Sequence, residues 1–186
     1  DIDKETPKFD DIQNVGWAAS SIYRLRKMNV VSGTSQNKYE PERNVTRAEF
    51  SKLLALALGI DSNNYSDNQF KDVNENSYYS TYISSCAGIG VIFGDNGYFY
   101  PDNPISRQDA VVMIGRALDY LKIQYSGIKV FEDNDKISDY AMGSVSMLAA
   151  NGIIDGFDDG CFHPLSNLNR AQAAVLICNM LDKTKQ

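Results

Sequence analysis

Phe9-Asp10-Asp11-Ile12 returns as Phe70-Lys71-Asp72-Val73 and again as Phe131-Glu132-Asp133-Asn134, at a spacing of 61 residues each time. A period of that length constrains the fold more than composition does, because each copy is one supersecondary unit that cannot bury its apolar face alone. The resemblance continues past Phe-x-Asp. Trp17, Tyr78 and Tyr140 open segments whose apolar residues recur at helical spacing: Ile22, Leu25, Met28; then Ile83, Cys86, Ile89; then Val145, Leu148, Ala149. Each segment is expected to leave its helix through a glycine stop, in Val30-Val31-Ser32-Gly33, Val91-Ile92-Phe93-Gly94 and Ile153-Ile154-Asp155-Gly156. An aromatic then stands two residues before a proline: Tyr39 and Pro41, Phe99 and Pro101, Phe162 and Pro164.

Five residues after each proline comes the strongest signal, Thr46-Arg47-Ala48-Glu49, Ser106-Arg107-Gln108-Asp109 and Asn169-Arg170-Ala171-Gln172. The first residue is a good N-cap, and the fourth can reach back to the cap's N–H as in a capping box. Val45, Ile105 and Leu168, just before the caps, suit a hydrophobic staple. Behind the caps run Phe50, Leu53, Leu54, Ala57, Leu58; Ala110, Met113, Ile114, Ala117, Leu118; and Ala173, Leu176, Ile177, Met180, Leu181. All three follow i, i+3, i+4, i+7, i+8, one buried stripe per helix. The chain therefore reads as all-α, with three helix-loop-helix repeats closing into a pseudo-threefold domain around a central bundle of the three capped helices. The expected repeats are 1–60, 61–123 and 124–186, divided in the polar stretches Asp61 to Gln69 and Gln124 to Lys129 and forming one cooperative unit.

Charge and cysteines narrow the function. With 18 Lys+Arg against 24 Asp+Glu the net charge is −6, which argues against nucleic acid, whose phosphates need a basic face. No run approaches the roughly 18 apolar residues of a membrane-spanning helix, so no membrane insertion is expected. The opening Asp1-Ile2-Asp3-Lys4 reads as a mature form or a fragment, without a signal peptide. Cys86 and Cys178 lie among apolar residues and Cys161 lies in a loop, with no shared metal-ligand spacing and His163 as the only histidine. Free thiols, no metal and no cofactor are expected.

Phe-x-Asp, aromatic, Val/Ile-Val/Ile-x-Gly, aromatic-x-Pro and Thr-Arg-Ala-Glu, in that order and three times over, resemble the S-layer homology repeats. The resemblance covers nearly the whole chain. It implies a three-pronged helical domain that attaches a larger surface protein to the bacterial cell envelope without a covalent bond. The implied ligand is a peptidoglycan-linked secondary cell-wall polysaccharide carrying a ketal-linked pyruvate, held in grooves between repeats. The arginine of Thr-Arg-Ala-Glu is the residue most associated with that ligand, which points to Arg47, Arg107 and Arg170. Only the first repeat keeps the full motif and the tryptophan.

Chemically, a helix start favours anions, and an arginine there adds a planar fork that can hold a carboxylate by two parallel bonds. Trp17, Tyr78 and Tyr140 are candidates for sugar platforms, with packing against the adjacent helix as the alternative. Asp11, Asp72 and Asp133 either accept bonds from the sugar or cap a helix or turn. Gly33, Gly94 and Gly156 either admit the ligand close to the backbone or serve the turn alone. Catalysis is not expected, since the one histidine stands in a loop without counterparts in the other repeats. Asp133-Asn134-Asp135 starts like a calcium loop, but Ser138 and Ser144 stand where glycine and glutamate belong. Gly88-Ile89-Gly90 with Gly94 misses the dinucleotide spacing. A protein-binding or self-assembling module, using the same grooves, is the rival to a monomeric polysaccharide anchor.

Overall fold

Each second helix begins where its cap stands in the sequence. The computed structural model describes residues 8–61, 64 and 68–184. Among these, the α-helices are α1 (Ala19–Lys27), α2 (Arg47–Leu58), α3 (Ser80–Gly88), α4 (Arg107–Tyr120), α5 (Asp139–Ala150) and α6 (Arg170–Lys183), with only isolated β-bridges in the loops. The all-α class is as expected. Residues 62–63 and 65–67 of the first boundary stretch, and the opening residues 1–7, lie outside the described residues.

Two of the three caps are reciprocal boxes. Thr46 Oγ1 accepts the Glu49 N–H at 3.2 Å while Glu49 Oε2 accepts the Thr46 N–H at 3.0 Å. Asn169 and Gln172 do the same at 2.9 and 3.2 Å. Ser106 Oγ accepts the Asp109 N–H at 3.2 Å, but no return bond forms. Aspartate is one methylene shorter than glutamate, and this one is engaged by Tyr140 and Arg47.

The first helices stop earlier than the glycine motif implied. Met28, Ile89 and Asn151 are their C-caps, followed by left-handed Asn29, Gly90 and Gly152 at φ 58°, 76° and 66°. Val30, Val91 and Ile153 then send their N–H groups back to Leu25, Cys86 and Leu148 at 2.8–2.9 Å, which satisfies carbonyls of the last turn. The turn belongs to the residue before the apolar pair. Gly33, Gly94 and Gly156 serve packing instead, since a Cβ there would lie 2.6–2.8 Å from the ring of Phe9, Phe70 or Phe131, closer than atoms pack. The glycine is what lets the Phe of Phe-x-Asp seat against the turn.

The packing pairs cross repeat boundaries. The first helix of each repeat lies on the second helix of the repeat before it: α3 on α2, α5 on α4, and α1 on α6. The three capped helices also contact one another pairwise. Phe50, Leu54 and all ten stripe residues of α4 and α6 are buried, as the period required. Leu53, Ala57 and Leu58 are only partly buried, while Ala48, Ser51 and Ala55 are enclosed instead. In the first stripe Ile22 and Leu25 are buried, but Met28 lies past the helix end and is exposed.

Main-chain bonds run round the same cycle. The Val45 N–H donates to Leu168 O, Leu168 N–H to Ile105 O, and Ile105 N–H to Val45 O, each at 2.9 Å. The apolar residues expected as staples thus stand where the repeats meet. At the helix starts, Arg47 and Ala48 donate to Asn103 and Pro101, Arg107 and Gln108 to Ser166 and Pro164, and Arg170 and Ala171 to Arg43 and Pro41, all at 2.9–3.0 Å.

Asp11, Asp72 and Asp133 brace this arrangement. Their carboxylates accept the paired N–H groups of Tyr39 and Glu40, Phe99 and Tyr100, and Phe162 and His163, at 2.7–3.2 Å. The second residue of each pair is left-handed, at φ 56°, 58° and 55°, a conformation unfavourable for a side-chain-bearing residue. Burial opposes ionisation of Asp11 and Asp133, and the N–H donors outweigh it, so both sit below the ordinary 3.8. A depressed carboxylate stabilises the fold above its unfolded value and loses that contribution as pH falls through the folded one. The melting temperature is therefore expected to drop as pH falls below about 4. Asp133→Asn should lower the melting temperature at neutral pH and flatten that acid slope. An unaltered slope in the variant would show that the clamp does not govern acid stability.

Candidate functional site

The helix starts are not free anion sites. The N–H groups of Arg47 and Ala48, and their counterparts, are taken by carbonyls of the next repeat, and that of the third helical residue by the cap. This departs from the expectation that unpaired helix N–H groups would receive the ligand. What remains for an anion is the arginine side chain.

Those side chains are held in one way. Nε of Arg47 donates to Phe99 O at 2.8 Å, Nε of Arg107 to Phe162 O at 3.0 Å, and Nε of Arg170 to Tyr39 O at 2.7 Å. Each acceptor is the aromatic of aromatic-x-Pro, whose own N–H is clamped by the aspartate. Each guanidinium also lies over an aromatic ring, 4.7 Å from that of Phe99, 4.7 Å from Phe157 and 4.4 Å from Tyr39. A second bond reaches the turn, from Arg107 Nη2 to Asp155 O at 3.3 Å and from Arg170 Nη2 to Ser32 O at 2.9 Å. These bonds use two of the five guanidinium donors in Arg107 and Arg170 and one in Arg47, leaving the others for a ligand.

Three cavities lie at these arginines, each built from all three repeats. Arg170 meets Ser32, Gly33 and Glu49 of the first repeat and Tyr78 of the second around about 190 Å³. Arg47 meets Phe93, Asp109 and Arg116 of the second and Tyr140 of the third around about 140 Å³. Arg107 meets Asp155, Gly156 and Gln172 of the third and Trp17 of the first around about 340 Å³. Trp17, Tyr78 and Tyr140 are 59%, 61% and 58% exposed, so packing inside the core does not explain them. Gly33 and Gly156 line their cavities; Gly94 does not line the Arg47 cavity, and Asp11, Asp72 and Asp133 line none of the three.

The grooves differ in charge. At Arg47, Asp109 stands 3.5 Å from Nη1 and accepts the Tyr140 hydroxyl at 2.6 Å, so a carboxylate of the protein already competes for the arginine. Burial and then this Asp109 bond push Tyr140 up to about 12, which keeps its hydroxyl a donor. At Arg170, Glu49 is bound by Arg43 at 2.6 Å, and Lys52 adds a further cation. Burial works against Glu49 ionisation, and the Arg43 bond overrides it. At Arg107 the corresponding residue is Gln172, which brings no charge. Burial lowers Arg107 to about 10 against the opposing pull of Asp133, so it remains a cation at neutral pH.

Residues without an assigned role in the sequence also converge. Asp159, Cys161 and His163 bring one ligand atom each to within 4.8 Å of one another. The spacing Asp-x-Cys-x-His was the only sequence signal for it, and it is not a familiar metal motif.

The model of the S-layer homology domain family matches residues 8–51, 69–111 and 130–174. Over 179 residues the chain is 34% identical to an amylopullulanase of Thermoanaerobacterium thermosulfurigenes, covering 95% of this chain and 10% of that protein. It is 29% identical over 151 residues to a cellulosome-anchoring protein of Acetivibrio thermocellus, covering 78% and 34%. With an S-layer protein of Bacillus thuringiensis subsp. finitimus it shares 25% identity over 171 residues, covering 91% and 21%. The chain thus spans between 10% and 34% of the length of these relatives.

Proposed function

Because the chain belongs to the S-layer homology family, we propose that it is the cell-wall anchor of a larger surface protein and grips an anionic, pyruvylated polysaccharide in its inter-repeat grooves. Relatives with surface-anchoring and S-layer names support the anchoring role. The observation that carries the finer reading is the recurrence, in all three grooves, of a fixed arginine facing an exposed aromatic. The arginine takes the ketal carboxylate by two parallel bonds, and the aromatic takes the apolar face of the sugar. Asp11, Asp72 and Asp133 act one step back, holding the carbonyl that orients each arginine. Gly33, Gly94 and Gly156 leave room for the Phe9, Phe70 and Phe131 rings beneath it. No step of catalysis belongs to this arrangement. We read the cyclic bonding as a pseudo-threefold unit in which repeats 1–60, 61–123 and 124–186 fold together. No helix among the described residues is long and apolar enough to cross a membrane.

The grooves should rank by how free their arginine is. Arg107→Gln is expected to lower retention on cell-wall sacculi more than Arg47→Gln, because Asp109 already occupies Arg47. Equal losses would remove that ranking. The primary test is a pulldown on purified sacculi before and after mild acid removal of ketal pyruvate. Binding lost with the pyruvate supports the arginine mechanism; binding retained moves the epitope to the sugar. Failure to bind either preparation, with concentration-dependent self-association in sedimentation, would favour the self-assembly reading instead.

A further inference from the structure

The loop of the third repeat holds a set of side chains that the anchoring reading does not use. Asp159, Cys161 and His163 alternate along the chain, and the left-handed Gly160 and His163 (φ 77° and 55°) fold the segment so that their side chains converge. Asp159 Oδ1 accepts the Cys161 N–H at 2.9 Å, and Asp159 Oδ2 lies 2.8 Å from His163 Nε2. The imidazole stands edge-on to Phe157, with 5.0 Å between centroids. The Phe162 and His163 N–H groups are fixed by Asp133 at 2.7 and 2.8 Å, so the backbone carrying the histidine is held in place.

The fold does not demand this set. The equivalent positions are Gln36, Lys38 and Glu40 in the first repeat and Asn96, Tyr98 and Tyr100 in the second, and their loops close as well. A surface Asp–His pair alone contributes little to stability. A thiol, an imidazole and a carboxylate together are the donor types of zinc-class cations. Metal–ligand bonds of about 2.0–2.3 Å need donor atoms roughly 3.5 Å apart, which side-chain rotation reaches from the present spacing.

We propose that Asp159, Cys161 and His163 form a binding site for a zinc-class divalent cation, with water in the fourth position. On binding, the Cys161 thiol gives its proton to solvent and His163 coordinates through a ring-nitrogen lone pair. None of the three ligands lines a groove, and Phe157 stands between, touching both His163 and Arg107.

The test is titration of reduced, tag-free protein with Co²⁺ and Zn²⁺. One equivalent of Co²⁺ is expected to give a thiolate-to-cobalt charge-transfer band and tetrahedral visible bands, both erased by Zn²⁺. Cys161→Ser should abolish the charge-transfer band. His163→Gln and Asp159→Asn should each weaken Zn²⁺ binding at least about tenfold, with unchanged helical circular dichroism. Cys161 should also become slow to react with a thiol reagent when Zn²⁺ is present. No uptake by the folded protein would overturn the proposal. So would uptake that is indifferent to Cys161→Ser and His163→Gln.

Discussion

Gly94→Val is expected to lower the melting temperature by about 10 °C, a loss of roughly 3 kcal/mol or more for a domain of this size. Even the first carbon of the new side chain would collide with the Tyr98 carbonyl and lie 2.6 Å from Phe70 Cε1. Neither obstacle can step aside. The Tyr98 carbonyl receives the Asp95 N–H at 2.9 Å, and the Phe70 ring packs against that of Phe99 at 5.2 Å. Phe99 in turn presents the carbonyl that Arg47 holds, so the clash propagates into the junction between repeats. Gly143→Ala is the control of opposite sign. That residue is exposed on α5 with nothing within 4 Å of a new Cβ, and helix propensity should add up to about 1 kcal/mol. Thermal melts followed by circular dichroism decide it; a wild-type melt for Gly94→Val would mean that the turn has slack.

The second large effect concerns binding. With Arg47, Arg107 and Arg170 all changed to glutamine, retention on sacculi should fall to background. A charge-assisted bond contributes about 1.5–3 kcal/mol, or roughly 10–100-fold per site, and three sites on one polymer multiply through avidity. Each substitution also strips the donor from a carbonyl at a repeat junction, so the melt must be measured beside the binding. Lysine replacements separate the two roles, since they keep the charge and lose the fork. If the lysine variant binds like wild type, the site needs charge alone; if the folded glutamine variant still binds, the polysaccharide sits elsewhere.

The fold was legible because helical periodicity and capping are local. The stripe behind Ser106 and Asn169 is buried residue for residue as the i, i+3, i+4 rule requires. Partnership between helices was not legible. Nothing in the spacing says that α3 lies on α2 while α1 crosses to α6, since that depends on distant surfaces. The arginines stood out by recurring at the first helical position, and each of them lines a cavity where repeats meet. The aspartates were ambiguous in sequence because a carboxylate serves a backbone N–H as readily as a sugar hydroxyl, and the structure occupies them with the backbone. Gly33, Gly94 and Gly156 read as the stop because those glycines recur in all three repeats, whereas the residue that does end the helix is Asn29 in the first and glycine only in the other two, Gly90 and Gly152. Inequality among the grooves was written in Glu49, Asp109 and Gln172. It became readable only once Tyr140 and Arg43 were seen to reach them.

The seam between α1 and α6 has a mechanical consequence. The α2–α3 and α4–α5 seams are each bridged by the covalent chain, whereas α1 and α6 meet through non-covalent contacts such as Arg24 Nη1 to Asp182 Oδ1 at 2.7 Å. Tension applied across the two chain ends therefore loads that seam first, peeling α1 from α6 before either linked pair feels the force. Removing α1 also carries off Trp17, which precedes it in the chain and lines the Arg107 groove. Single-molecule stretching from the two ends, with an early low-force step shortened by a disulfide across α1 and α6, would show that this seam opens first.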